Sequence, residues 1–167
     1  PRTLESMGIL AVGYRAAGKL DLALPLYEEN LKLMRIKLGA EHPKTLTAMN
    51  NLASGYLSAG KLDLALPLNE ETLKLMRIKL GADHPTTLTI MSNLANCYHR
   101  VMQYEKAELL HREQLPLVKQ KSGGTSAEYA TALAHFGRNQ LTQKKWTDAE
   151  TFLRECLTIR EKSQPNV

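Results

Sequence analysis

Five histidines, two cysteines and two glycine–lysine turns are the residues of this chain best suited to chemistry, and their spacing argues against a reaction centre. His42, His84, His99, His111 and His135 include no pair four residues apart on one helix face, the spacing a helical zinc site uses. Cys97-x-His99 directs its two side chains to different faces of a helix. Gly13-x4-Gly18-Lys19-Leu20 and Gly55-x4-Gly60-Lys61-Leu62 come close to a phosphate-binding loop, but lack the Ser/Thr that would hold magnesium and follow no buried strand. No local Ser–His–acid or Cys–His arrangement is present. The sequence therefore predicts no catalytic residue, no metal and no cofactor. The side chains left for function are amides and arginines, which recognise other molecules without transforming them.

What positions those groups is a repeat. Residues 18–42 and 60–84 differ at three places only: Tyr27/Asn69, Asn30/Thr72 and Glu41/Asp83, at an offset of 42 residues. Such self-similarity indicates stacked supersecondary units that shelter one another. The register persists in a decayed form. Ala23, Ala65, Ala107 and Ala149 align; so do Leu10, Leu52, Leu94 and Phe136; so do Tyr14, Tyr56 and Tyr98, with Gln140 as the exception. Leu20, Leu62, Tyr104 and Trp146 form another column, and Leu31, Leu73, Leu115 and Leu157 another. We read one array over residues 1–167, with repeats at approximately 1–42, 43–84, 85–126 and 127–167.

Within a unit the apolar spacing is helical, as at Leu46, Met49, Leu52, Ala53 and Tyr56. Gly60-Lys61 interrupts it, and a second helix follows. Gly39, Gly81 and Gly123 sit where helix ends favour a left-handed residue. Pro43 and Pro85 suit a first helical position, Ser126 is an N-cap, and His42 and His84 recur in a loop or capping place. Pro25 and Pro67 fall near the start of the second helix. Pro116 lies mid-helix, where a kink or local break is expected.

Bulk properties exclude other classes. The formal net charge of +5 favours acidic partners only mildly and argues for no nucleic acid without a localised basic stripe. No apolar run approaches the roughly 18 residues of a bilayer span. Cys97 and Cys156 lie in different repeats and suit buried thiols in a reducing, cytoplasmic setting. The opening Pro-Arg-Thr, without initiator Met or signal pattern, points to a fragment of a longer protein.

The order Met49…Leu52-Ala53…Tyr56…Gly60…Ala65 resembles the tetratricopeptide repeat. The usual period is about 34 residues, so both helices should be longer here. Asn51-Leu52-Ala53, Asn93-Leu94-Ala95, His42-Pro43 and His84-Pro85 are similar to the kinesin-light-chain type. The GKLDLALPL blocks also resemble arrays that follow the kinase domain in large bacterial, notably planctomycete, serine/threonine kinases. Repeat 4 departs at Gln140, Lys144 and Ala127. The resemblance implies an all-α, right-handed superhelical solenoid of about four helix–turn–helix units, or about eight antiparallel helices.

It also implies that first helices line a concave face. Repeat 2 would contribute Thr47, Asn50, Asn51, Ser54, Leu57 and Ser58, and repeat 3 Thr89, Ser92, Asn93, Asn96, His99 and Arg100. Repeat 4 would contribute Thr131, Ala134, His135, Arg138, Leu141 and Thr142, and repeat 1 Glu5, Gly8, Ile9, Val12, Arg15 and Ala16. The expected binding residues are Asn50, Asn51, Asn93, Asn96, His99, Arg100, His135 and Arg138. By analogy they would hold an extended, acidic segment of a partner protein. The competing reading is a structural spacer or homo-oligomer, paired through uncapped ends that leave Leu153 and Leu157 uncovered. RNA binding would need the missing basic stripe. No membrane insertion is expected.

Overall fold

The computed structural model describes residues 2–163, among which there are eight α-helices and no strand. They fall into two compact units, residues 1–81 and 82–167, each made of two helical hairpins. The first unit holds α1 (Arg2–Ala16), α2 (Leu20–Leu38), α3 (Pro43–Ser58) and α4 (Leu62–Leu80). The second holds α5 (Pro85–Arg100), α6 (Tyr104–Ser122), α7 (Ala127–Thr142) and α8 (Trp146–Ser163).

Local chemistry sets these boundaries. Nδ1 of His42 accepts the Lys44 backbone N–H at 3.2 Å, and Nδ1 of His84 accepts that of Thr86 at 3.2 Å. Both histidines are therefore N-caps, followed by a proline whose absent N–H would have had no helical partner anyway. Ser126 Oγ does the same for Tyr129 N at 3.1 Å. At each hairpin corner the chain turns back with a bond from the residue after the left-handed position. Lys19, Lys61, Gln103 and Lys145 donate to the carbonyls of Tyr14, Tyr56, Tyr98 and Gln140 at 2.8–3.0 Å. The corner residue has φ of 72° and 74° at Gly18 and Gly60, and of 62° and 60° at Met102 and Lys144, where a Cβ makes that conformation costly.

Gly39, Gly81 and Gly123 end their helices with φ of 87–91°. Their ψ of 151–162° is not that of the left-handed helix expected from sequence. It belongs to a region open essentially to glycine alone, so the requirement for glycine is stronger than expected. Pro116 also departs from expectation, because α6 runs through it without a break. Pro25, Pro67 and Pro116 are all exposed, as are Asp21, Asp63 and Arg112 four residues earlier. Water can thus satisfy the carbonyls that each proline deprives of a partner.

In unit 1, Ala11, Ala23, Leu46, Met49, Ala53 and Ala65 have no exposed surface. Burying a side chain such as Met49 contributes about 2 kcal/mol. α2 packs so closely on α3 that a Cβ on Gly55 would lie 3.1 Å from both Leu24 Cδ2 and the Tyr27 ring. The Tyr56 hydroxyl crosses between the hairpins to donate to Glu28 Oε1 at 2.9 Å. Burial and that carboxylate push its pKa up to about 12. Two exposed ion pairs also join the hairpins, Glu41–Lys79 at 2.7 Å and Arg35–Glu71 at 3.0 Å, and solvent screening keeps the contribution of each small.

Unit 2 buries Ile90, Met91, Ala95, Ala107, Leu133 and Ala149 completely. Phe136 stacks on Phe152 at 4.3 Å and on His111 at 5.5 Å. Glu108 on α6 gathers Lys145 at 2.6 Å, Arg112 at 2.7 Å and Gln143 at 2.9 Å. Burial raises its pKa, but these donors outweigh burial and bring it down to about 2. Not every expected core column is covered: Leu10, Trp146 and Leu157 are 49%, 62% and 57% exposed. Leu153 is half-buried, seated against Gly137. Cys97 and Cys156 are buried and form no disulfide.

Candidate functional site

The first helices of the second, third and fourth hairpins carry the eight expected binding residues, and none of them is fully buried. Those in unit 2 converge best. Asn96 and His99 on α5 and His135 and Arg138 on α7 gather, with Ser92 and with His111 of α6, around one recess too narrow to admit a water molecule. Arg138 Nη2 donates to Asn96 Oδ1 at 3.4 Å. That long bond uses one of five guanidinium donors, so most of the fork can still take a carboxylate. Asn93 is half-buried and Arg100 exposed, and neither borders the recess. In unit 1, Asn50 and Asn51 are half-buried on α3, and Asn51 borders a separate cavity against α1.

The histidines behave differently from the arginines. Asn139 Nδ2 donates to the Tyr104 carbonyl at 3.1 Å, which turns its Oδ1 toward His99 Nδ1, 3.2 Å away. His99 must then carry its proton on Nδ1 and donate. The His99 ring also meets Tyr104 edge-on at 5.3 Å. Burial, and then the Arg138 and Arg160 charges, lower the pKa of His135. His111 is pushed down to about 4, by burial first and then by His135, Arg138 and His99. Arg138 brings a permanent positive charge to this recess.

His111 and Gln114 are the site-forming residues that sequence reasoning passed over. Gln114 Nε2 donates to Ser92 Oγ and, at 2.8 Å, to the Leu88 carbonyl, fixing α6 under α5. The available signal was a polar residue in each of two buried columns: Tyr27/Asn69/His111 and Asn30/Thr72/Gln114. Three of these side chains reach a backbone carbonyl: Asn30 to Leu4 at 2.6 Å, Asn69 to Ala65 at 2.9 Å and Thr72 to Leu68 at 2.6 Å. No group of three or more His, Cys, Asp or Glu residues able to hold a metal ion occurs among the described residues. No described helix is long and apolar enough to cross a membrane.

Comparison with known proteins agrees with this fold. The tetratricopeptide repeat family model matches residues 2–78, 56–120 and 86–162. Among solved structures, a single-substitution form of the nearly identical TPR-like repeats of a Podosopora anserina protein described as a kinesin light chain is similar. It has a TM-score of 0.87 and 22% identity over 98% of this chain and 77% of that one. BtubC (BKLC) from P. vanneervenii aligns with a TM-score of 0.83 and 24% identity, over 95% of this chain and 62% of that one. The apo form of RapI aligns at 0.84 and 15% identity, over 97% and 57%. At these identities the likeness is one of fold. No curated protein sequence matches the chain. The matched segments run through nearly the whole described chain, and the protein belongs to the tetratricopeptide repeat family.

Proposed function

We propose that the four repeats act as one protein-binding array and hold an extended, acidic segment of a partner along the first helices of the hairpins. Tetratricopeptide repeats are in general protein–protein interaction scaffolds, and this chain offers binding groups without a reacting constellation. The observation that carries the acidic preference is Arg138, set 3.4 Å from Asn96 above two histidines held neutral. A guanidinium with spare donors beside an amide suits a carboxylate and the adjoining peptide group. We assign the chain no catalytic step and a cytoplasmic setting, in keeping with its two unbridged cysteines. If a bacterial kinase carries the array, as the GKLDLALPL blocks suggest, the face would bring partners to that kinase.

The test is affinity capture with the wild-type chain and with Arg100→Glu/Arg138→Glu. The double variant is expected to lose the captured partner, and equal capture by both proteins would reject this face. A second reading, self-association, is favoured by Leu157, which is 57% exposed on α8. It predicts a mass that rises with concentration in light scattering, and a monomer at high concentration would reject it.

A further inference from the structure

α6 and α8 carry the same stripe of residues, and only on α6 is it covered. Tyr104, Glu108, His111, Leu115 and Val118 follow one another at alternating steps of four and three residues, the spacing that draws one seam along a helix. α7 and the corner after it lie on this seam. Asn139 Nδ2 donates to the Tyr104 carbonyl, Gln143 Nε2 and Lys145 Nζ donate to Glu108, and Phe136 stacks on His111. Glu108, His111 and Val118 are buried, and Tyr104 and Leu115 half-buried. At an offset of 42 residues the seam of α8 is Trp146, Glu150, Leu153, Leu157 and Arg160. No described helix follows α8. Leu153 is half-buried against Gly137, and the other four are exposed.

The order of residues along this seam has a symmetry of its own. Leu153 and Leu157 stand equally far on either side of residue 155, and so do Glu150 and Arg160. A twofold axis at that level would set Leu153 of each copy against Leu157 of the other, and Glu150 of each against Arg160 of the other. A parallel pair would instead bring glutamate to glutamate and arginine to arginine. Arg154, which flanks the axis, carries its own counter-charge in Glu150 at 2.7 Å. The antiparallel direction is also the one in which α7 crosses α6, since a loop of residues 123–126 joins those two neighbours.

We propose that α8 of a second copy covers this seam, antiparallel, in a closed dimer with twofold symmetry. The inference rests on the self-association reading above and names its joint. The leucines at the centre supply apolar burial, and the two Glu150–Arg160 pairs fix direction and register. An end-to-end stack, with another copy's first hairpin following α8 as a further repeat, is opposed by charge. Arg35 pairs with Glu71 at 3.0 Å and Lys119 with Glu155 at 3.9 Å, each cation meeting a carboxylate 36 residues later. The residue 42 positions beyond Lys119 is Glu161, and a stacked copy would set its Glu29 there, acid against acid.

The test is sedimentation equilibrium of the full chain over a concentration series. Wild type is compared with Glu150→Arg, with Arg160→Glu, with the double variant and with an equimolar mixture of the two single variants. Both positions are exposed, and circular dichroism checks that helix content is kept. Wild type should approach twice the chain mass and stop there, as a closed twofold pair must. Each single variant opposes like charges twice per dimer and should weaken association about tenfold or more. The double variant and the mixture restore opposite charges across the joint and should dimerise as wild type does. A mass that climbs past two chains, a dimer unmoved by either single variant, or a mixture that fails to recover overturns the α8 joint and leaves self-association standing. A monomer at every concentration overturns both.

Discussion

Lowering the pH from 7 to 5 should weaken unit 2 through His111. The side chain is 4% exposed, its Nδ1 is buried without a partner, and its pKa falls from 6.5 to about 4. Burial disfavours the charged form, and His135, Arg138 and His99 press in the same direction, while a bond with Gln114 partly opposes them. In the unfolded chain the imidazole takes a proton near 6.5; in the folded chain it resists down to about 4. Between those values the unfolded state binds more protons, so stability falls as pH falls. It is fully present above 6.5 and stops declining below 4. The two-pKa linkage expression gives a loss of about 2 kcal/mol at pH 5 and about 3 kcal/mol at pH 4. Urea unfolding followed by the fluorescence of Trp146, the single tryptophan, reads this directly because Trp146 opens α8 of the same unit. His111→Leu removes the titration and places there the residue that Leu153 holds one repeat on. Its loss between pH 7 and 5 should be smaller than wild type's by about 2 kcal/mol. Equal losses in the two proteins would refute the assignment. Glu108 does not confuse the window, because its contribution is retained until the pH falls below 4.5.

Glu108→Gln should cost about 2 kcal/mol at pH 7 by weakening charge-assisted bonds to Lys145, Arg112 and Gln143. That difference is full above 4.5 and fades as the pH falls through about 2, as urea midpoints at pH 7 and pH 3 can show. Met102→Gly and Lys144→Gly should each stabilise by about 0.5–1 kcal/mol, since both residues have φ near 60° and glycine removes the Cβ penalty at some entropic cost. Thermal melts of the two variants check this. Gly137→Ala should destabilise by about 1 kcal/mol, because the new Cβ would lie 2.7 Å from Leu153 Cγ and overpacking outweighs the gain in helix propensity. The same change made on top of Leu153→Ala should instead raise the urea midpoint.

The repeat columns made most of the fold legible. Ala23, Ala65, Ala107 and Ala149 align in sequence and are all fully buried, because no larger residue fits where two helices meet. The caps were legible because His-Pro and Ser place an acceptor directly before a helix. Column membership fails where the neighbours differ. Leu10 shares a column with buried Leu52 but has no described helix on its outer side, and Gly13 meets nothing within 4 Å where Gly55 meets Tyr27. The local break offered for Pro116 does not occur, because a proline's effect depends on which side of the helix it faces, and its side is solvent. For the candidate site, the sequence placed the amides on the first helices of the second and third hairpins and Arg138 on that of the fourth, where the structure has them. It gave no sign that the nearby histidines would be held neutral, since a pKa depends on burial and on charges that only folding brings close.

The duplicated blocks also bear on how the gene could vary. Of the three positions that tell them apart, two are buried: Tyr27 and Asn30 in one block, Asn69 and Thr72 in the other. The Tyr27 ring packs so closely on Gly55 that a Cβ there would lie 3.1 Å from it, whereas the residue 42 positions beyond Gly55 is Cys97. Unequal recombination that exchanged one block for the other would leave the protein almost unchanged letter by letter, yet would put a tyrosine where an asparagine is accommodated. Resemblance between neighbouring segments therefore does not make them interchangeable.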